Sequence, residues 1–240
     1  YSGLASFSLI ADDGYALSPE AAVTVNVSDA KLLKIHLERI ASLAQGSSQK
    51  LVLTGDFADE KGVALAASYL QFGTTNAAVA DVTASGIVRG KSEGTATLSA
   101  ASHGIQAVNA LGVFAVVILD PSSQGEGATG EPIDPGVYPG TLTLTNHGGK
   151  RQLRISADDG SDITTAAMGT LYFVGNPDIA TITPDGLVIG LAEGVTTLSI
   201  INGAGQQNIE LKVQVPSIGA TLVNAQDGGA VQGADGSLVL

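Results

Sequence analysis

The residues of this chain best equipped for chemistry are carboxylates that cluster beside glycine. Asp12-Asp13-Gly14, Asp56 with Asp59-Glu60, and Asp158-Asp159-Gly160 with Asp162 all stand in turn-like contexts. A hard cation such as Ca²⁺ takes about six to eight oxygens, and a turn brings carboxylates and carbonyls together. Two readings stand. Asp-Gly favours turns on conformational grounds alone, and this is the preferred reading. The alternative is that Asp12, Asp13, Asp158, Asp159 and Asp162 supply oxygens to Ca²⁺, a cofactor that the sequence allows and does not require. No Asp-x-Asp-x-Asp loop is present, so such a site needs oxygens from a neighbouring module.

Other chemistry has less to work with. His36, His103 and His147 are the only histidines. None has a His-x-x-x-His partner, and each reads as solvated surface. The serines fall in repetitive strands, and no Gly-rich phosphate loop carries a lysine. Glu93 and Glu193 recur at matched turns, where a charge keeps a strand edge from pairing. The expectation is a chain without an active site.

Composition sets the elements that must hold these groups. The 240 residues are 44% hydrophobic but only 4% aromatic, with no Trp and 31 Gly. Cores of Val, Ile, Leu and Ala between thin layers suit sheets. A net charge of −12 repels phosphate backbones, which excludes nucleic acid as a partner. There are no cysteines, hence no disulfides and no thiolate zinc site. An acidic, Cys-free, Gly/Thr/Val/Asp-rich β chain reads as a bacterial exported protein. No run approaches the ~18 apolar residues of a membrane span. The longest, ALGVFAVVIL (110–119), reads as a buried strand. The chain starts at Tyr1 and stops in the strand-like GSLVL, so we expect a segment of something longer.

One phrase is written twice, one hundred residues apart. DVTASGIVRGKSEGTATLSA (81–100) returns as TITPDGLVIGLAEGVTTLSI (181–200). Gly86, Gly90 and Gly94 match Gly186, Gly190 and Gly194. Asn76, Val88, Thr97 and Leu98 match Asn176, Val188, Thr197 and Leu198, and Phe72 matches Tyr172. Ser85-Gly86 and Asp185-Gly186 are turn dipeptides. Thr95, Thr97 and Ser99 alternate with Ala96, Leu98 and Ala100 as in a half-buried strand. Upstream, KLVLTGDFAD (50–59) matches QLRISADDGS (152–161). Downstream, VNALGVFAVVIL (108–119) and QNIELKVQVP (207–216) close the two copies. About seven short strands in 80–90 residues predict an Ig-like sandwich.

The order Asn-x-x-Val-Ala-x-Val, turn Gly, Ile/Leu-Val, Gly, x-x-x-Gly-x-x-Thr-Leu resembles the bacterial Ig-like domain, group 2, of intimin- and invasin-like adhesins and large bacterial surface proteins. The likeness covers residues 31–119 and 138–216. The family often carries Trp where Phe72 and Tyr172 stand. The resemblance implies an all-β fold of tandem Ig-like β-sandwiches, joined here by the Gly/Pro-rich stretch DPSSQGEGATGEPIDPGVYPG (120–140). Residues 1–29 resemble the last strands of a cadherin-like repeat.

The expected layout is therefore 1–29, the C-terminal strands of a preceding cadherin-like or Ig-like module; 30–119, Ig-like domain 1; 120–138, linker; 139–216, Ig-like domain 2; and 217–240, the start of a further module or a tail. AKLLKIHLERIASLAQ (30–45) fits a helix by its Leu33, Leu37, Ile40 and Ala44 face. It fits a strand by its Leu33, Ile35, Leu37 alternation, and the strand over 32–37 is preferred. The function implied is a non-catalytic structural spacer of a large bacterial cell-surface or secreted protein, related to adhesion. The alternatives are accessory modules of an extracellular hydrolase or toxin, or a subunit of a self-assembling surface layer or filament. Expected partners are neighbouring modules of the same chain, a host or cell-surface protein or glycan, or identical copies. The expected location is extracellular or on the bacterial surface, with no membrane insertion.

Overall fold

A computed structural model describes residues 2–115, 132–146, 148–215, 231–232 and 238–239. The stretch 116–131, which includes most of the expected linker, lies outside the described residues, as do His147 and most of the expected tail. The chain is all-β. Among the described residues the only helical turns are two single 3₁₀ turns, Ala67–Tyr69 and Ala166–Met168.

The chain opens with a hairpin of β1 (Gly3–Leu9) and β2 (Ala21–Val27), paired from Gly3↔Val27 to Leu9↔Ala21. The first repeat follows with β3 (Leu32–Leu37), β4 (Ser42–Ala44), β5 (Ser48–Lys50), β6 (Leu53–Phe57) and β7 (Val63–Ala64). Then come β8 (Gln71–Thr74), β9 (Ala80–Val82), β10 (Ile87–Gly90), β11 (Gly94–Ser102) and β12 (Ile105–Phe114). One layer is the sheet β4-β12-β11-β8. The other holds β3-β6-β7 and β5-β10-β9. Between them Leu32, Ile35, Leu53, Val88, Leu98 and Leu111 form a closed core. The 32–37 stretch is a strand, as the alternation argued, but with a bulge between Leu32 and Lys34. The bulge turns Leu32 and Ile35 inward and leaves Leu33 45% exposed.

The second repeat builds the same frame. It uses β13 (Gly136–Tyr138), β14 (Leu142–Thr145), β15 (Lys150–Gln152), β16 (Arg154–Ser156) and β17 (Thr170–Val174). These are followed by β18 (Ala180–Ile182), β19 (Leu187–Gly190), β20 (Gly194–Asn202) and β21 (Gly205–Gln214). Sheet β14-β21-β20-β17 faces β15-β19-β18 and β13-β16 over a core that includes Leu153, Ile155, Val188, Leu198, Ile200 and Leu211. Residues 136–138, at the end of the expected linker, thus pair into a sheet with β16.

The shared residues explain the shared frame. The Leu51 N–H donates to the Gly86 carbonyl and the Leu153 N–H to that of Gly186, at 2.8 and 2.9 Å. Gly86 and Gly186 turn at φ +76° and +80°, where a side chain is strained. Their partners are aromatic: a Cβ at Gly86 would lie 3.3 Å from the Phe72 ring, and one at Gly186 would lie 2.9 Å from the Tyr172 hydroxyl. Gly90 and Gly190 are required by close approach. A Cβ there would stand 3.0 Å from the Ala44 carbonyl oxygen and 2.7 Å from that of Thr145.

Candidate functional site

The turn carboxylates cap their own turns. Asp12 Oδ1 accepts the Gly14 N–H at 2.8 Å, and Asp13 Oδ1 accepts those of Tyr15 and Ala16 at 2.9 and 2.8 Å. The Ala16 and Tyr15 N–H groups hold the Asp13 carboxyl below its ordinary pKa. Asp159 Oδ1 accepts the Ser161 N–H at 2.9 Å, and hydrogen bonds from the Ser161 side chain and backbone lower its pKa. Asp162 Oδ1 accepts the Thr164 hydroxyl at 2.6 Å and its N–H at 2.9 Å. Those bonds, hydroxyl first, keep its pKa low, with Arg154 4.0 Å away adding to the effect. Asp158 is exposed. Asp12 and Asp13 belong to the first hairpin, whereas Asp158, Asp159 and Asp162 follow β16. Among the described residues no three His, Asp or Glu side chains form a metal-holding group.

The two described histidines, His36 and His103, lie on the surface, each with a hydrogen-bond partner. His36 on β3 meets Asp56 on β6, Nε2 to Oδ2 at 2.9 Å, one step diagonal to the Lys34↔Asp56 register pair. This hydrogen bond is the chief cause of Asp56's lowered pKa. His103 turns between β11 and β12 at φ +51°, with its Nδ1 2.8 Å from the Ser102 hydroxyl. Glu93 and Glu193 are both exposed in their turns. The expectation of a chain without an active site rests on finding no Gly-x-Ser-x-Gly elbow, yet Gly90-Lys91-Ser92-Glu93-Gly94 has that spacing. The structure makes it a turn between two strands, with the Ser92 hydroxyl donating to the Ala78 carbonyl at 2.8 Å. An elbow needs a strand leading into a helix.

A dense polar constellation joins the two repeats. The Arg39 guanidinium donates twice to Asp134, at 2.8 and 2.7 Å. It also donates to the carbonyls of Gln206 and Ala204, at 3.1 and 3.3 Å. The Gln206 N–H donates to Asp134 Oδ1 at 3.0 Å. Arg39 is the main reason that the Asp134 carboxyl titrates low. The Gln206 side chain, 5% exposed, reaches into the first repeat. Its Oε1 accepts the Ala110 N–H at 2.7 Å, and its Nε2 donates to the Val108 carbonyl at 3.1 Å. In the other direction, the Gln106 N–H donates to the Gly175 carbonyl at 2.8 Å and its amide to that of Val174 at 3.0 Å. Val108, Ala110 and Ile201 are buried together here, with Phe173 packed against them.

A cleft of about 650 Å³ opens beside this joint. The first repeat lines it with Lys31, Lys34 and Lys61, and the second with Asp178, Glu193 and Glu210. The sequence singled out none of the joint residues; of the cleft lining it singled out Leu33, Asp56, Asn176, Glu193 and Gly194, for other reasons. The available signal was that Gln106 and Gln206 occupy the same position of the repeat.

The fold defines a class: two β-sandwiches of common plan, in tandem, docked through side chains. No family model matches the chain, and no curated protein matches it. Among solved structures it is similar to the S-layer protein rSbsC(31-844), at 17% identity and a TM-score of 0.32, over 100% of this chain and 39% of that one. An endo-fucoidan hydrolase from glycoside hydrolase family 107 shares 13% identity over 89% of this chain and 34% of its own, at a TM-score of 0.27. Human protocadherin-24 EC1-2 shares 13% over 76% and 98%, at a TM-score of 0.25. The chain spans about two fifths of the length of rSbsC(31-844). Likeness this loose says nothing of function. Among the described residues no helix is long and apolar enough to cross a membrane.

Proposed function

We propose that this chain is a non-catalytic, load-bearing spacer of a bacterial surface or secreted protein, built from group 2 Ig-like modules at 30–119 and 139–216. The carrying observation is how each four-stranded sheet begins and ends. β4 pairs parallel with β12, Gly112↔Ser42 to Phe114↔Ala44. β14 pairs parallel with β21, Leu142↔Leu211 to Thr145↔Gln214. Pulling the two ends of such a repeat apart slides the paired strands past each other along their length. All rungs then carry the load together, instead of opening one by one as in a pulled hairpin. A chain held at both ends by neighbouring modules needs this geometry.

The first hairpin supports neighbours. Its register puts Ala5, Phe7, Leu9, Val23 and Val25 on one face and Leu4, Ser6, Ser8, Ala22 and Thr24 on the other. Phe7 and Leu9 are 52% and 56% exposed. A two-stranded ribbon is marginal alone, so this face suits the closing strands of a preceding module. Residues 217–240 are read as the start of a further module or a tail.

Single-molecule pulling tests the load-bearing role. Two unfolding events at forces above those of hairpin unzipping are expected, and featureless extension would reject it. Electron microscopy and a glycan array separate the alternatives: ordered polymers favour a self-assembling layer, and glycan binding favours an accessory module. Melting with and without millimolar Ca²⁺ decides the role of Asp12, Asp13, Asp158, Asp159 and Asp162, since bound ligand raises Tm and an unchanged Tm rejects calcium.

A further inference from the structure

We infer that the contact between the repeats is a latch that fixes their relative angle, so that the two sandwiches move as one stiff segment. Modules joined by a Gly/Pro-rich stretch are expected to reorient freely, and small interfaces within a chain leave such motion as the default. Three features of this interface oppose that default. The planar guanidinium of Arg39 meets Asp134 through two parallel hydrogen bonds, and this fork geometry sets direction as well as distance. Gln206 is buried and serves the Ala110 N–H and the Val108 carbonyl together. Rotating the repeats apart breaks those bonds and exposes the apolar contact of Val108, Ala110 and Ile201 with Phe173 to water. Gln106 makes the converse contact, to the strand end at Val174 and Gly175. Equivalent glutamines of the two copies therefore each clasp the other copy, and the Arg39–Asp134 pair adds a third contact. The inference does not depend on the spacer reading, because a stiff pair would serve an accessory module as well.

The absence of cysteine makes the test clean. Lys50→Cys and Lys150→Cys, one exposed site in each repeat, place a single pair of spin labels on the full chain. Pulsed electron resonance then reads the distribution of distances between the repeats. The latch predicts one narrow peak, and both Arg39→Ala and Asp134→Asn broaden it while the far-ultraviolet spectrum stays that of folded sheet. Asp134→Asn keeps the side-chain shape and covers the case in which Arg39→Ala does not fold. A broad distribution in the unmodified background overturns the fixed angle. A peak that stays narrow in both variants overturns Arg39–Asp134 as its latch.

Discussion

Replacing Asn109 with leucine should unfasten the chain where it crosses from β3 to β4. Asn109 is 1% exposed. Its Oδ1 accepts the Ile40 N–H at 2.9 Å, and its Nδ2 donates to the Ile40 carbonyl at 2.8 Å. Leucine fills the volume but leaves both backbone groups of Ile40, itself 6% exposed, without a partner. Each buried group left unmatched costs about 1–3 kcal/mol, so the loss should be about 2–6 kcal/mol. Against a total of about 5–15 kcal/mol, that is a substantial share. It should lower Tm by on the order of 10 °C or more for a unit of this size. Urea titration of the full chain gives the free energy, and amide exchange at 38–42 gives the location. A loss under about 1 kcal/mol, with the urea slope unchanged, would refute the reasoning. The second repeat supplies the converse. Ile209 holds the matching position at 3% exposure, and Ile209→Asn should destabilise by burying an amide with nothing to bond.

Four further outcomes follow from the geometry. Gly190→Ala places a methyl 2.7 Å from the Thr145 carbonyl oxygen and should cost about 1–3 kcal/mol, whereas a neutral result in urea denaturation would mean that β14 yields easily. Asp134 has a depressed pKa through Arg39, so its contribution is present above the unfolded value and lost as pH falls through the folded one. Stability measured below about pH 4 should therefore fall more steeply in the parent chain than in Asp134→Asn. Tyr172 is pushed up to about 12 by burial and by the charges of Asp162 and Asp185. Its share of stability is thus full below pH 10 and disappears as pH rises toward 12; Tyr172→Phe should remove the last step of the tyrosinate absorbance titration. Under force, the first repeat, with three residues paired between β4 and β12, should open before the second, with four between β14 and β21; the reverse order, read by deleting either clamp, would count against the shear geometry.

Local features were legible in the sequence and distant ones were not. The repeat, its turns and the two cores could be read because Gly86, Gly186 and the Thr97-Leu98 alternation act within a few residues of themselves. The bulge that exposes Leu33 was not legible, since strand alternation alone assigns Leu33 to the same face as Ile35. His36 and Asp56 are 20 residues apart, and only the β3–β6 register brings them together. Asp134 sits in a stretch whose Gly and Pro content reads as linker, yet its partner Arg39 lies 95 positions away. A carboxylate in a turn looks the same in sequence whether it caps its own loop, as Asp13 does, or clasps another module.

Those 95 positions carry a mechanical consequence. Arg39 lies before β4 and Asp134 before β14, so their contact ties the chain entering one sheet to the chain entering the next. Everything from β4 to β12 hangs in the loop that this tie encloses. Tension that has passed β3 then has a second route, across the guanidinium to the chain entering the second repeat, which spares the pairing of β4 with β12. Once the tie parts, the β4–β12 pairing bears the full pull, so the chain between Arg39 and Asp134 is a reserve length that follows the loss of the tie.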